Sequence, residues 1–237
     1  MEKQKNDNSG LLEIRARIAV GAAVLDGDLM IPSGASGIVL FAHGSGSSRH
    51  SPRNQGVARV IREAGIGTLL FDLLTREEES VDVFTRHLRF DIGLLSQRLF
   101  EATRWAFEQE ETRGLRVGYF GSSTGAAAAL MAAARLGEKI GAVVSRGGRP
   151  DLADTALPLV KSPTLLIVGG RDEVVIELNQ DAYAQLRCEK AMMIIPGATH
   201  LFEEPGALDQ VANLASAWFA EHLQSQTPRA QTAGGRR

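Results

Sequence analysis

Three residues far apart in the chain, Ser123, Asp172 and His200, are the ones whose types and order could do chemistry together. The pentapeptide Gly121-Ser122-Ser123-Thr124-Gly125 lies between the apolar run 115–120 and the alanine-rich run 126–134. It reads as a strand, a tight turn and a helix. Glycines on both sides remove the Cβ atoms that would block so sharp a bend, and Ser123 is pushed out at the turn. Its hydroxyl would then stand at a helix N-terminus, where backbone N–H groups favour negative charge. A serine hydroxyl is a weak nucleophile unless a base takes its proton. Of His43, His50, His87, His200 and His222, the best placed is His200, which follows the last predicted strand through the turn Pro196-Gly197-Ala198-Thr199. Asp172 follows the strand Thr164–Val168 and the Gly169-Gly170 turn, so it projects from the same carboxyl edge and could hold the imidazole in one tautomer. Serine, then aspartate, then histidine is the order that such an elbow requires.

A nucleophile of this kind also needs donors for a developing oxyanion. The N–H of Thr124 is one candidate. The glycine-rich loop His43-Gly44-Ser45-Gly46-Ser47-Ser48 offers a second through the backbone of Ser45, with Gly46 as the next choice. His43 is expected to brace this loop by a hydrogen bond. Arg146 and Arg149 follow a predicted strand and could hold a substrate carboxylate, a role with which ion pairing to Asp151 or Asp154 competes. Ser122 is expected to point into the fold, Cys188 to pack at a helix end, and Glu77-Glu78-Glu79 to form a solvated face or a first helical turn. No histidine and carboxylate cluster has ligand spacing, so neither a metal nor a cofactor is expected.

The elements that must position these residues are legible as eight runs: Leu12–Val20, Val24–Ile31, Gly37–Ala42, Gly67–Phe71, Arg116–Phe120, Ala142–Ser145, Thr164–Val168 and Ala191–Ile195. The first two are expected to form an antiparallel hairpin turning at or near Asp26-Gly27-Asp28. From the third onward, strands alternate with helical spacing, as in Val57, Val60 and Ile61, or Val211, Leu214, Trp218 and Phe219. That alternation predicts an α/β fold with a mainly parallel eight-stranded sheet and helices on both faces. Only residues 146–161 separate the sixth and seventh strands, too few for a sizeable cap. A single domain over 11–223 with flexible tails at 1–10 and 224–237 is expected.

With 237 residues, 44% of them hydrophobic, and a formal charge of −2, the chain can bury a full core and carries no run of Lys and Arg suited to nucleic acid. A single cysteine excludes an internal disulfide, and no stretch reaches the length of a membrane span. A cytoplasmic location is expected.

Taken together, Phe41–Arg49, Phe71–Thr75, the Gly121–Gly125 elbow, Val168–Asp172 and Gly197–Phe202 resemble the α/β-hydrolase superfamily over nearly the whole chain, most closely its small, lidless dienelactone hydrolase-like branch. The resemblance implies a hydrolase with Ser123, Asp172 and His200 at the triad positions and the backbones of Ser45 and Thr124 at the oxyanion hole. Dienelactone hydrolases carry cysteine at the elbow, where this chain has Ser123, so the resemblance points to a serine esterase. Some relatives carry an appended phosphoribosyltransferase module, for which 237 residues leave no room. The expected activity is hydrolysis of small carboxylic esters through an acyl-enzyme. The alternatives are a lactonase or dienelactone hydrolase-like activity, an amidase on the same site, or a non-catalytic binding protein of this fold.

Overall fold

The computed structural model describes residues 2–6, by backbone alone, and 10–224. Its strands are β1 (Glu2–Asn6), β2 (Leu11–Val20), β3 (Ala23–Pro32), β4 (Gly37–Ala42), β5 (Gly67–Phe71), β6 (Arg116–Ser122), β7 (Ile140–Arg146), β8 (Thr164–Gly169) and β9 (Lys190–Ile195). They form one sheet in the order β1-β2-β3-β5-β4-β6-β7-β8-β9. From β5 through β4 to β9 every pairing is parallel, whereas β1, β2 and β3 join antiparallel. This is the α/β-hydrolase fold, with the eight expected strands at its centre and β1 added at one edge. Residues 2–6, expected within a flexible tail, are that edge strand, while 225–237 lie outside the described residues.

The β2–β3 turn corrects the expected hairpin. Val20 pairs with Ala23, so the turn is Gly21-Ala22, and Asp26-Gly27-Asp28 runs along β3 opposite Arg17-Ala16-Arg15. Gly21 adopts φ +61°, which suits the first central position of a two-residue hairpin turn. The period-2 pattern wins over the Asp-Gly signal, because Leu25, Gly27, Leu29 and Ile31 all face the core from β3.

The helices are α1 (Pro52–Glu63), α2 (Arg76–Thr85), α3 (Ile92–Glu108), α4 (Thr124–Leu136), α5 (Glu173–Gln185) and α6 (Ala207–His222). Successive strand residues point to opposite faces and so feed two cores. Leu40, Val117, Tyr119, Val143 and Leu166 pack towards α3, α4 and α5, whereas Phe41, Phe120, Val144 and Ile167 pack towards α1 and α6. Helix α4 is central: Ala126 to Leu130, Ala132 and Ala133 are fully buried. Alanine suits that position, being the strongest helix former and small enough for close packing on the sheet. The segment after β7 forms a 3-10 stretch, Pro150–Leu159, with Leu157 buried, and no cap is evident.

Candidate active site

The elbow is built as strand, one strained residue and helix. Strand β6 ends at Ser122 and α4 begins at Thr124. Between them Ser123 adopts φ 50° and ψ −123°, a conformation that costs a non-glycine residue about 1–3 kcal/mol. A Cβ at Gly125 would overlap the Ala42 carbonyl, and one at Gly121 would overlap Ala126 Cα, which is why both positions are glycine. The Ser123 N–H donates to the Arg146 carbonyl (3.3 Å), and its own carbonyl accepts from Ala126 (3.1 Å) and Arg149 (3.0 Å). These bonds hold the strained backbone while the half-buried side chain stays accessible. Ser122 is buried, as expected.

Asp172 and His200 come together from two loops stitched at the ends of β8 and β9. Ile195-Pro196-Gly197-Ala198 turns with Gly197 at φ +74° and the Ala198 N–H bonded to the Ile195 carbonyl (3.2 Å). Proline then glycine suits a type II turn. The Gly170 N–H donates to Ile195 (2.8 Å) and the Arg171 N–H to Ala198 (2.9 Å). A Cβ on Gly169 would lie 2.6 Å from the carbonyl oxygens of both Ala198 and Thr199, so glycine lets the histidine loop lie directly on the aspartate loop. Asp172 occupies the N-cap position of α5 but makes no cap bond with its side chain. Its Oδ2 instead accepts from His200 Nδ1 at 2.6 Å. With Nδ1 donating, Nε2 keeps its lone pair and can accept a proton.

Residues 146 and 147 link this pair to the elbow. The Arg146 carbonyl holds the Ser123 N–H, while a Cβ on Gly147 would lie 3.6 Å from His200 Cε1. Among the described residues the Ser123 hydroxyl makes no hydrogen bond, to His200 or to any other group. A hydroxyl at such a turn often makes its hydrogen bonds only once a ligand is bound.

The glycine loop lies against the same elbow. A Cβ on Gly44 would sit 3.0 Å from Ser123 Cβ. The Ser45 N–H donates to Thr124 Oγ1 (3.1 Å), which sets that amide beside the first turn of α4. Thr124, the first helical residue, has an N–H without an intrahelical acceptor. The Thr124 hydroxyl thus also shapes the site, a part not expected from the sequence, where its one signal is a hydroxyl directly after Ser123. His43 braces the loop: Nδ1 donates to the Gly44 carbonyl (3.0 Å) and Nε2 accepts the Leu73 N–H (3.0 Å). Burial pushes the His43 pKa below its ordinary 6.5, against the Gly44 hydrogen bond and the charges of Asp72 and Glu79, so the ring is held neutral.

Beside the loop opens a cavity of about 800 Å³ lined in part by Ser45, Gly46, Arg53, Leu74 and Val83. Helix α2 forms one wall. Thr75 and Glu78 make a capping box there, and Arg98 from α3 donates to the Glu78 carboxylate (2.6 Å) and to the Leu73 carbonyl (2.6 Å). Glu77-Glu78-Glu79 is the first turn of α2, one of the two expected readings, and Glu78 in addition holds Arg98.

The two arginines part ways. Arg149 forms a bidentate pair with Asp151 (2.9 and 2.7 Å), as the competing expectation had it. Arg146 is buried, and its Nε and Nη1 have no hydrogen-bond partner. Cys188 lies in the loop after α5 rather than on its end, with its thiol pKa raised by burial.

Comparison with known proteins agrees with this architecture. The dienelactone hydrolase family profile matches residues 25–225. A dienelactone hydrolase crystal structure from Anabaena variabilis is 61% identical, superposes with a TM-score of 0.89, and covers 91% of this chain and 100% of its own. Est1E from Butyrivibrio proteoclasticus shares the fold with a TM-score of 0.73 at 16% identity, over 88% of this chain and 98% of its own. A Mycobacterium tuberculosis protein provisionally named a phosphoribosyl transferase is 55% identical over 213 residues, or 90% of this chain. The chain spans only 47% of that relative's length. On the profile match and the 61% identity, the chain belongs to the dienelactone hydrolase family.

Proposed function

We propose that this chain is a serine hydrolase of small carboxylic esters, with Ser123 as nucleophile, His200 as general base and acid, and Asp172 as the group that orients His200. The observation that carries the reading is the 2.6 Å bond from His200 Nδ1 to Asp172, made by an aspartate at a helix N-cap that forgoes its cap bond. In the first half-reaction Ser123 Oγ attacks the ester carbonyl carbon and its proton passes to His200 Nε2. The tetrahedral oxyanion accepts hydrogen bonds from the Thr124 N–H and from the Ser45 N–H, for which a full negative charge competes well against the neutral Thr124 hydroxyl. Collapse expels the alcohol, which takes the proton from His200. Water then attacks the acyl-enzyme by the same route, releasing the acid and restoring Ser123.

Serine at the elbow and the open cavity beside the glycine loop support short soluble esters; lactone or amide cleavage would use the same groups. The phosphoribosyl transferase name belongs to a relative about twice as long and is not carried over to this chain. The single, half-buried cysteine, which has no second cysteine to pair with in this chain, suits a cytoplasmic enzyme.

Turnover of a chromogenic short-chain ester tests the reading. Ser123→Ala should lower kcat by roughly three to six orders of magnitude, and Asp172→Asn by roughly 10⁴, with both circular dichroism spectra unchanged. Ester turnover unaffected by Ser123→Ala overturns it.

A further inference from the structure

Arg146 ends β7 and sends its side chain to the α1/α6 side of the sheet, where its guanidinium lies 5.9 Å from the Phe202 ring centre. The residue is 7% exposed. Its Nε and Nη1 find no acceptor, and among the described residues no carboxylate comes within ion-pairing distance. Phe202 is followed directly by Glu203, which Arg53 of the first α1 turn engages at 3.1 Å, so the two cations converge on one two-residue stretch, and Arg53 is the charged group that acts on Arg146. Burial, then repulsion from Arg53, lowers the Arg146 pKa to about 10, which still leaves the group charged at neutral pH. Among the described residues Arg53 has Glu203 as its one ion-pair partner, and its buried Nε has none. No acidic residue occupies the first turn of α1. Burying an unpaired charge is costly, and placing a second charge of the same sign beside it adds to that cost. An anion held by both guanidinium groups would offset that cost. Arg53 also lines the 800 Å³ cavity beside the glycine loop, so one of the two guanidinium groups stands at a solvent-filled space.

We propose that Arg146 and Arg53 form a binding site for a phosphate-type dianion next to the elbow. A flat carboxylate satisfies one guanidinium fork, whereas a tetrahedral phosphate offers acceptors to two and carries about −1.5 to −2 charges as a monoester at pH 7. The ligand is either free inorganic phosphate or a phosphate group borne by the ester substrate. The second form rests on the serine hydrolase reading; the first does not.

The test is titration of the full chain with inorganic phosphate against sodium chloride at matched ionic strength, followed by calorimetry and thermal midpoint. Wild type and Ser123→Ala should both bind phosphate saturably with a raised midpoint, which keeps this result independent of turnover. Arg146→Gln and Arg53→Gln should each weaken binding roughly tenfold or more. In chloride, Arg146→Gln should melt at or above the wild-type midpoint, because an unpaired buried charge is gone; if that variant fails to fold, Arg53→Gln carries the affinity measurement. Competitive inhibition of neutral-ester turnover by phosphate identifies the substrate-borne form, and binding that leaves kcat and KM unchanged identifies the free anion. A midpoint in phosphate equal to that in chloride, or wild-type phosphate affinity in the arginine variants, overturns the proposal.

Discussion

At the scale of single residues, the site depends on side chains whose obvious structural partners have been given up or withheld. Asp172 sits where an aspartate would cap α5 and instead engages His200. His43, next to the elbow, is the opposite case, with both ring nitrogens committed to backbone groups. Its burial has a consequence for pH. The unfolded chain takes up a proton near pH 6.5 that the folded ring resists, so stability is full above about 6.5 and falls as pH drops from there towards the lowered folded value. The loss is at most about 1.4 kcal/mol per pH unit from this group. Urea unfolding at pH 7.5 and 5.5 should show that slope in the wild type and a smaller one in His43→Gln; equal slopes would contradict the neutral, bracing role. The sequence suggested this role from the position of His43 ahead of two glycines. It did not reveal the isolation of Arg146, because which arginine takes Asp151 depends on side-chain direction: Arg149 reaches it two residues on, while Arg146 points to the other side of the sheet.

At the scale of elements, the strands and helices that carry the site were legible because each combines periodicity with a turn signal. Pro196-Gly197 after β9 and the glycines around Ser123 each appear where a positive φ or a close backbone approach demands them. The misplaced hairpin turn has a physical reason as well, since Asp26-Gly27-Asp28 has turn chemistry but lies in a strand whose alternate residues are all buried. Clips such as Arg98 to Glu78, 20 residues apart, were not legible, because they depend on how α2 folds back on α3. The glycine at the end of β8 offers an element-scale test. Gly169→Ala would press a Cβ against the Ala198 and Thr199 carbonyls and move the histidine loop without touching a reacting group. Displacements of this size cost about 10² in rate, so kcat should fall about a hundredfold while α-helical content is kept. A kcat equal to wild type would show that the loop does not need this contact to place His200.

At the scale of the whole molecule, the parallel strands from β5 to β9 bring the elbow, the aspartate loop, the histidine loop and the glycine loop to one edge, although they span 43 to 200 in the chain. Two separate cores lock that edge from both sides: the buried α4 beneath the elbow, and α1 and α6 beneath Arg146 and Phe202. Among the described residues no helix is long and apolar enough to cross a membrane. On the function proposed above, this convergence makes one hydroxyl unusually reactive. Incubation with a fluorophosphonate, followed by intact mass and peptide mapping, measures it directly. One adduct per chain is expected, on Ser123, lost in Ser123→Ala and slowed by orders of magnitude in His200→Ala. An unlabelled wild type, or labelling at another serine that persists in Ser123→Ala, would contradict it.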